Sequence, residues 1–394
     1  MRILQIGKFY PIRGGVEKVM WDIADGLNAR GFACDILCAD AEHTGKWREK
    51  DFYGSGRCLI APALGKMAAT MISPAMVGWL RKHCGEYDIV HVHHPDPMAC
   101  LALRLSGYKG KVVLHWHSDI LKQKFFLKLY KPLQGWLVRR SDRIVCTSPN
   151  YAEGSEALKD VQGKVAIIPI GVDPVRADEE GAERIRRRLT GEPERQGTTG
   201  GPNGEPKAEP GREPARRKKL VFSLGRLVGY KGYSYLVEAA PKLSDDYVLV
   251  IGGEGPLRSE LESQIAALGL KDKVFLTGRI ADEELPAWFN ACDVFCLSSI
   301  WKTEAFAIVQ IEAMSCAKPV VATKIKGSGV SWVNADVESG INVEPEDSEG
   351  LAEAIMRVCG EGYEDFSARA RRRYERNFTR KGMIDNCLKL YETV

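Results

Sequence analysis

The chain has 394 residues, 44% hydrophobic and 27% charged, with a formal net charge of +4 at pH 7. That length exceeds one ordinary core and points to two domains, the composition is that of a soluble globular protein, and no apolar run reaches the length of a membrane-spanning helix. So small a net charge gives little support to a nucleic-acid partner, and eleven cysteines without a CxxC pair read as free thiols of a cytoplasmic protein.

In chain order, residues 1–7 enter a strand pattern over 3–6 rather than a signal peptide. Pro11-Ile12-Arg13-Gly14-Gly15-Val16-Glu17 links it to a helical pattern over 17–28. Two successive glycines permit close backbone approach to phosphate or sugar, with a helix start behind them; a purely structural turn is the alternative. Further strand patterns fall at 34–37, 88–93, 112–117, 143–147 and 165–169. His91-Val92-His93-His94 and His115-Trp116-His117 end neighbouring strands, and at strand spacing His91 shares a face with His93, as His115 does with His117. Zinc is conceivable there, yet no thiolate or carboxylate spacing completes a ligand set. Hydrogen-bonded strand-end side chains are the simpler reading.

Between 119 and 143, basic residues including Lys128, Lys131 and Arg139 interleave with Phe125, Phe126 and Trp136. The segment reads either as a surface for an anionic leaflet or as a core-facing helix with a solvated basic face. From 176 to 219 the composition shifts to Gly, Pro, Glu and Arg. A short helix fits 179–189, and 190–214 lacks the apolar surface needed to offset its ordering entropy, so a mobile linker is expected.

The alternation then restarts, with strands at 220–223, 248–251, 274–276, 294–297 and 319–322 and helices at 234–242, 257–268, 282–289 and 305–316. Two blocks of this kind imply two parallel-sheet, Rossmann-like domains. Arg226 and Lys231 flank a glycine-containing turn after the first strand of the second block, where two cations could neutralise a diphosphate. Gly252-Gly253-Glu254-Gly255 is a strand-to-helix turn but not G-x-G-x-x-G, and no Walker A pattern occurs. Thr277-Gly278-Arg279 ends the next strand. The most informative stretch is Trp301-Lys302-Thr303-Glu304-Ala305-Phe306-Ala307-Ile308-Val309-Gln310-Ile311-Glu312. It places Glu304 at or just before a helix start and Glu312 about two turns inside. Were both helical, they would lie roughly 12 Å apart along the axis, too far for a paired-carboxylate dyad but suited to two ends of one extended ligand. A surface helix with two solvated carboxylates is the alternative.

Together these motifs, with His117-Ser118-Asp119 and Pro169-Ile170-Gly171-Val172-Asp173, resemble the retaining nucleotide-sugar glycosyltransferases of family 4 (group 1), which have the two-domain GT-B fold. The resemblance covers nearly the whole chain outside the linker. It implies an α/β protein with an acceptor-side domain (1–175), a linker (176–219), a nucleotide-sugar-binding domain (220–365) and C-terminal helices (366–394) that return to the first domain. It further implies that Glu304 contacts the donor sugar, that Glu312 contacts the ribose, and that the helix start at Phe306, Ala307, Ile308 and Val309 receives the diphosphate. Arg226 and Lys231 would neutralise that diphosphate as it leaves. Gly14 and Gly15 would face the donor across the cleft, Gly253 and Glu254 would lie beside the nucleotide, Arg279 would approach the base, and His117 would lie near the transferred sugar.

No Asp-x-Asp occurs, so neither a catalytic metal nor another cofactor is expected. The implied partners are a nucleotide-sugar donor and a saccharide or lipid-linked saccharide acceptor, with peripheral contact at the inner face of a membrane. Where the family has Gly-Phe-Gly after the first glutamate, this chain has Ala305-Phe306-Ala307. Ala305, the segment 115–124 and Ser328-Gly329-Val330-Ser331-Trp332-Val333-Asn334 are similar to mannosyl- and rhamnosyl-transferases of surface polysaccharide assembly, which makes GDP-mannose the expected donor. The methyl of Ala307 is expected to narrow the sugar pocket or lower activity. A sugar-nucleotide epimerase, a phosphorylase and an inactive scaffold are the alternative readings.

Overall fold

Runs of Val, Ile and Leu between loops make strands that are buried on both faces, which is why they read as continuous apolar segments. The structure, a computed structural model, describes residues 1–52, 54, 56–67, 70–120, 124–190 and 217–394, with the backbone alone at 124–127 and 129. The strands of the first domain are β1 (Arg2–Tyr10), β2 (Ala33–Asp40), β3 (Arg48–Asp51), β4 (Arg57–Ala61), β5 (Gly65–Met67), β6 (Thr70–Ile72), β7 (Ile89–His94), β8 (Lys111–Trp116), β9 (Arg143–Cys146) and β10 (Val165–Ile167). Eight of them form one sheet in the order β10-β9-β8-β7-β1-β2-β4-β3, and β5 pairs with β6 alone. All neighbours in the large sheet are parallel except β3 on β4. In the second domain, β11 (Lys219–Leu224), β12 (Tyr247–Gly252), β13 (Val274–Gly278), β14 (Val294–Leu297), β15 (Val320–Thr323) and β16 (Gly340–Val343) form a six-stranded sheet in the order β13-β12-β11-β14-β15-β16. Every pair in it is parallel.

Each expected strand is present, most with their ends adjusted and β14 with the expected bounds. Among the elements that the periodicity did not disclose are β3 to β6, β16, the helix Ser348–Val358, the short helices Pro149–Glu153 and Val330–Val333, and the two helices Pro74–His83 and Pro97–Ser106. Both helices begin with proline, the residue whose missing N–H costs nothing at a helix start. Asp96 caps the second, accepting from the N–H groups of Met98 and Ala99.

The segment expected to be a linker divides. Its first part, the helix Glu179–Thr190, belongs to the second domain. Arg186 is buried against Asp293, and its guanidinium donates to the carbonyl of Lys218 at 3.1 Å. A buried arginine with a buried carboxylate partner holds the helix where composition alone suggested solvent. The expected mobile stretch, 190–214, lies outside the described residues apart from Thr190.

The C-terminal expectation also divides. The helix Tyr363–Asn377 stays with the second domain, where Ser367 donates to the carbonyl of Ala317 and Arg373 to that of Val333. The last helix, Arg380–Glu392, returns to the first domain. Arg380 meets Asp22 and Asp25 there, and one apolar core joins Ile23, Met383, Ile384 and Phe378 to Phe306 and Ile311 of the second domain.

The return depends on a glycine at the crossing. A Cβ on Gly26 of the helix Gly15–Asn28 would lie 2.1 Å from Cδ1 of Ile384. Gly26→Val should therefore lower the melting temperature by several degrees, since overpacking costs about 1–3 kcal/mol. Shortening the partner as well, in Gly26→Val/Ile384→Ala, should recover part of the loss. An unchanged melt in the single variant would mean that the helices do not cross here.

Candidate active site

In both sheets the strand order diverges from a central strand, β1 in one and β11 in the other, and open α/β sheets hold ligands at such points, beyond the carboxyl ends of the strands. Lys231 leaves the loop after β11, and Glu304 the loop after its neighbour β14. Their side chains meet at 2.5 Å, with only 10% and 12% of each exposed. Burial opposes the charge on Lys231, yet the adjacent carboxylate outweighs it and raises the ammonium pKa above its ordinary value. The hydroxyl of Ser299 donates to the same Glu304 oxygen, Oε2, at 2.9 Å. The hydroxyl of Ser328 donates to the Glu304 carbonyl at 2.5 Å. Oε1 is left without a partner among the described residues. Lys231 is thus engaged in a buried pair before any diphosphate reaches it. Arg226 is exposed and makes no ion pair among the described residues.

The helix after Glu304 starts later than the pattern suggested, at Ile308, and runs to Ser315. Glu304 is therefore four residues ahead of it, and Glu312 is one turn inside rather than two. The distance expected for two helical carboxylates does not apply. The cause is Ala307, which caps the helix in the left-handed region at φ 62°. An L-residue there strains by roughly 1–2 kcal/mol, which gives a physical reason for the glycine of the related motif. The backbone N–H groups of Phe306, Ala307, Ile308 and Val309 donate to no described residue, and together they form an anion-ready helix start. Phe306 contributes its backbone only; its ring is buried against Phe378.

Glu312 and Arg279 come together as expected. They line a cavity of about 640 Å³ with Asp282 and Phe289, and the first domain closes it with Arg13 and Lys18. Burial pushes the Glu312 carboxyl up to about 7. Gly15 approaches the same helix start: a Cβ on it would lie 3.1 Å from Cδ1 of Ile308. Gly14 is different. A Cβ there would lie 2.9 Å from Oε2 of Glu17, and burial raises that carboxyl above its ordinary value, so the room at Gly14 is taken by a side chain of its own helix. Gly253 has a structural duty, since a Cβ there would lie 1.9 Å from the carbonyl oxygen of Gly225. Glu254 is exposed, and no hydrogen bond joins its carboxylate to a described residue.

The histidines share a face as their spacing predicted. His93 pairs across the strands with His115, and His117 stacks on His115 with centroids 4.0 Å apart. Nitrogens of His91, His93 and His115 lie within 4.8 Å of one another. His93, however, spends Nε2 on Gln5 and Nδ1 on His117, which leaves two rings with spare nitrogens, too few for a structural metal site. Burial lowers the pKa of all four rings and keeps them neutral.

Sequence reasoning missed Lys302. Its ammonium bridges the cleft to Asp119 at 2.7 Å and to the carbonyl of Gly154 at 2.6 Å, and it lies 4.7 Å from the ring centre of Tyr151. Asp119 is fixed in turn by Trp116 and Ser155, which donate to its carboxylate, and by its own N–H, which donates to the hydroxyl of Tyr151 at 2.7 Å. The bridge joins the residue two before Glu304 to the residue two after His117. The signal was present in Trp301-Lys302-Thr303-Glu304 and His117-Ser118-Asp119, but nothing in one sequence pairs those motifs.

Residues 13–176 match the family described as Glycosyltransferase Family 4, and residues 206–376 match Glycosyl transferases group 1. The chain is 31% identical over 401 residues to O-antigen chain mannosyltransferase C of Escherichia coli, across 100% of this chain and 99% of that protein. It is 30% identical over 387 residues to the D-rhamnosyltransferase WbpZ of Pseudomonas aeruginosa, across 96% of this chain and 92% of that protein. The structure of HepE from Anabaena in complex with UDP has the same fold, with a TM-score of 0.75 at 19% identity across 100% of both chains. The chain belongs to the group 1, family 4 glycosyltransferases of the GT-B fold, and it is a glycosyltransferase.

Two outcomes follow from the geometry. Lys231→Ala should melt well below wild type, because stranding a buried carboxylate costs roughly 3–5 kcal/mol, whereas Arg226→Ala should melt like wild type. Equal melting of the two would contradict the buried pair. The raised pKa of Glu312 means that the folded state holds this proton more tightly than the unfolded one. Its stabilising contribution is complete below the ordinary value of 4.5 and disappears as pH rises through about 7. Melting of the ligand-free protein across that range should be flatter in Glu312→Gln, and superimposable profiles would count against the shift.

Proposed function

We propose that the protein transfers a hexosyl group from a nucleotide-diphosphate sugar to a hydroxyl of a saccharide or lipid-linked saccharide, with retention of anomeric configuration and without a metal. The observation that carries the reading is the unpaired oxygen of Glu304 and four unengaged N–H groups in the turn that leads into the helix carrying Glu312, which lines a cavity shared by both domains. In this scheme the diphosphate lies on the N–H groups of 306–309, with Arg226 and Lys231 nearby. Arg279 and Glu312 hold the base and ribose ends. The bond from the anomeric carbon to the phosphate oxygen breaks, and its electrons pass to that oxygen. The acceptor hydroxyl attacks from the same face and gives its proton to the departing phosphate. Glu304 Oε1 stabilises the positive charge that develops on the sugar.

The names of the two full-length relatives, a mannosyltransferase and a D-rhamnosyltransferase, support GDP-mannose as donor and a surface polysaccharide as product. No described helix is long and apolar enough to cross a membrane. Exposed Lys128, Lys131 and Arg139 on the helix Lys124–Arg140 support contact with an anionic leaflet at the cytoplasmic face, which vesicle flotation would check.

The decisive assay offers GDP-mannose and other nucleotide sugars with oligosaccharide acceptors, and follows nucleotide release and product anomer by NMR. Acceptor-dependent release with the donor's configuration is expected, undiminished by EDTA. Release without acceptor would favour a phosphorylase or epimerase, and restoration by Mn²⁺ after EDTA would refute metal independence. The glutamates should separate. Glu304→Gln should depress kcat on the order of 10²-fold with little change in nucleotide diphosphate affinity, whereas Glu312→Gln should weaken the nucleotide diphosphate itself. The reverse pattern would invert the donor in the cleft.

A further inference from the structure

Behind His117 runs a chain of buried hydrogen bonds whose polarity can be followed atom by atom. Tyr391, on the C-terminal helix, is 2.6 Å from Nδ1 of His91 through its hydroxyl. The amide nitrogen of Gln5 donates to that hydroxyl at 3.1 Å and reaches the sulfur of Cys34 at 3.7 Å. The Gln5 carbonyl oxygen is thereby turned to Nε2 of His93, 2.7 Å away. Nδ1 of His93 is 2.9 Å from Nε2 of His117.

A carbonyl oxygen only accepts, so the His93 proton is on Nε2. A neutral imidazole has one N–H, so Nδ1 of His93 is a bare acceptor. It must receive the proton carried by Nε2 of His117. The Nδ1 of His117 is then a lone pair with no partner among the described residues. This ring stands just past the carboxyl end of β8, two residues from Asp119 and its bridge to Lys302. His115, stacked on His117 with an interplanar angle of 7°, fixes the ring plane.

We propose that Gln5 and His93 are positioning residues that set the tautomer of His117, so that its Nδ1 accepts a hydrogen bond from a hydroxyl of the bound sugar. The inference rests on the reading of His117 as a sugar-facing residue, and it adds a chemical requirement to that reading. The sugar must present a donor at this point, so replacing that hydroxyl with fluorine, which cannot donate, is as damaging as removing it. A His117 protonated on Nδ1 would instead tolerate fluorine better than hydrogen. Tyr391 extends the chain of hydrogen bonds to the helix Arg380–Glu392: without its hydroxyl the Gln5 amide loses the partner that orients it.

The test is ¹⁵N NMR of histidine-labelled protein, together with kinetics. In wild type, His117 should show a bare Nδ1 and a protonated Nε2; a protonated Nδ1 overturns the proposal. Tyr391→Phe, which keeps the ring, and Gln5→Met should both mix the tautomers. Each should lower kcat about tenfold, as expected for one hydrogen bond, with nucleotide diphosphate affinity unchanged. Gln5→Glu retains an acceptor toward His93 and should restore the tautomer and most of kcat. A fall in kcat with the tautomer intact would make Gln5 merely structural and overturn the assignment. Among deoxy and fluoro donor analogues, at least one position should lose turnover equally with hydrogen and with fluorine; rescue by fluorine at every sensitive position also overturns it. Failure of the wild type to transfer any sugar would sink the enzymatic reading while the NMR result still decides the tautomer.

Discussion

The cleft is organised by one buried charge pair. Neither Lys231 nor Glu304 is stable in its place without the other, because an unpartnered ion at that depth loses more hydration than the fold returns. Their loops leave adjacent strands, β11 and β14, so the pairing fixes two loops at the point where the sheet order diverges. The remaining polar groups follow from that choice. Ser299 satisfies the shared oxygen, Thr323 donates to the carbonyl of Ser299, and Ser298 donates to the carbonyl of Lys231 at 2.9 Å. One carboxylate oxygen and a row of N–H groups are left over, and they point to where a ligand can supply what the protein does not.

Much of this was legible in the sequence, for identifiable reasons. Parallel strands buried on both faces announce themselves as apolar runs, so β14 was placed residue for residue and the two-domain division followed. Polar residues at the ends of those runs marked the site, since ligands in such folds collect there. Short edge elements were not legible. The strand Arg48–Asp51 is largely exposed and carries no apolar signal, and Gly65–Met67 is three residues long.

The start of the helix at Ile308 was hidden for a different reason. Helical spacing constrains which face is buried, but it says nothing of a single residue in the left-handed region, and Ala is a poor advertisement for one. Depth was the other blind spot. Lys231 looks like a surface lysine in any local window, and Arg186 sits in a segment dense in charge. Each is buried because a carboxylate far away in sequence waits for it, Glu304 in one case and Asp293 in the other.

The Arg186 anchor has a topological side. Its guanidinium holds the carbonyl of Lys218, just before β11, while the helix that carries it ends at Thr190. The described ends on either side of residues 191–216 are therefore held together at a single clamp of the second domain. For a closed excursion of this kind, each doubling of length costs only about 0.6 kcal/mol of closure entropy. The anchor thus fixes both described ends by contacts of the domain itself, and such ends are natural ports where evolution or an engineer can lengthen, shorten or replace sequence.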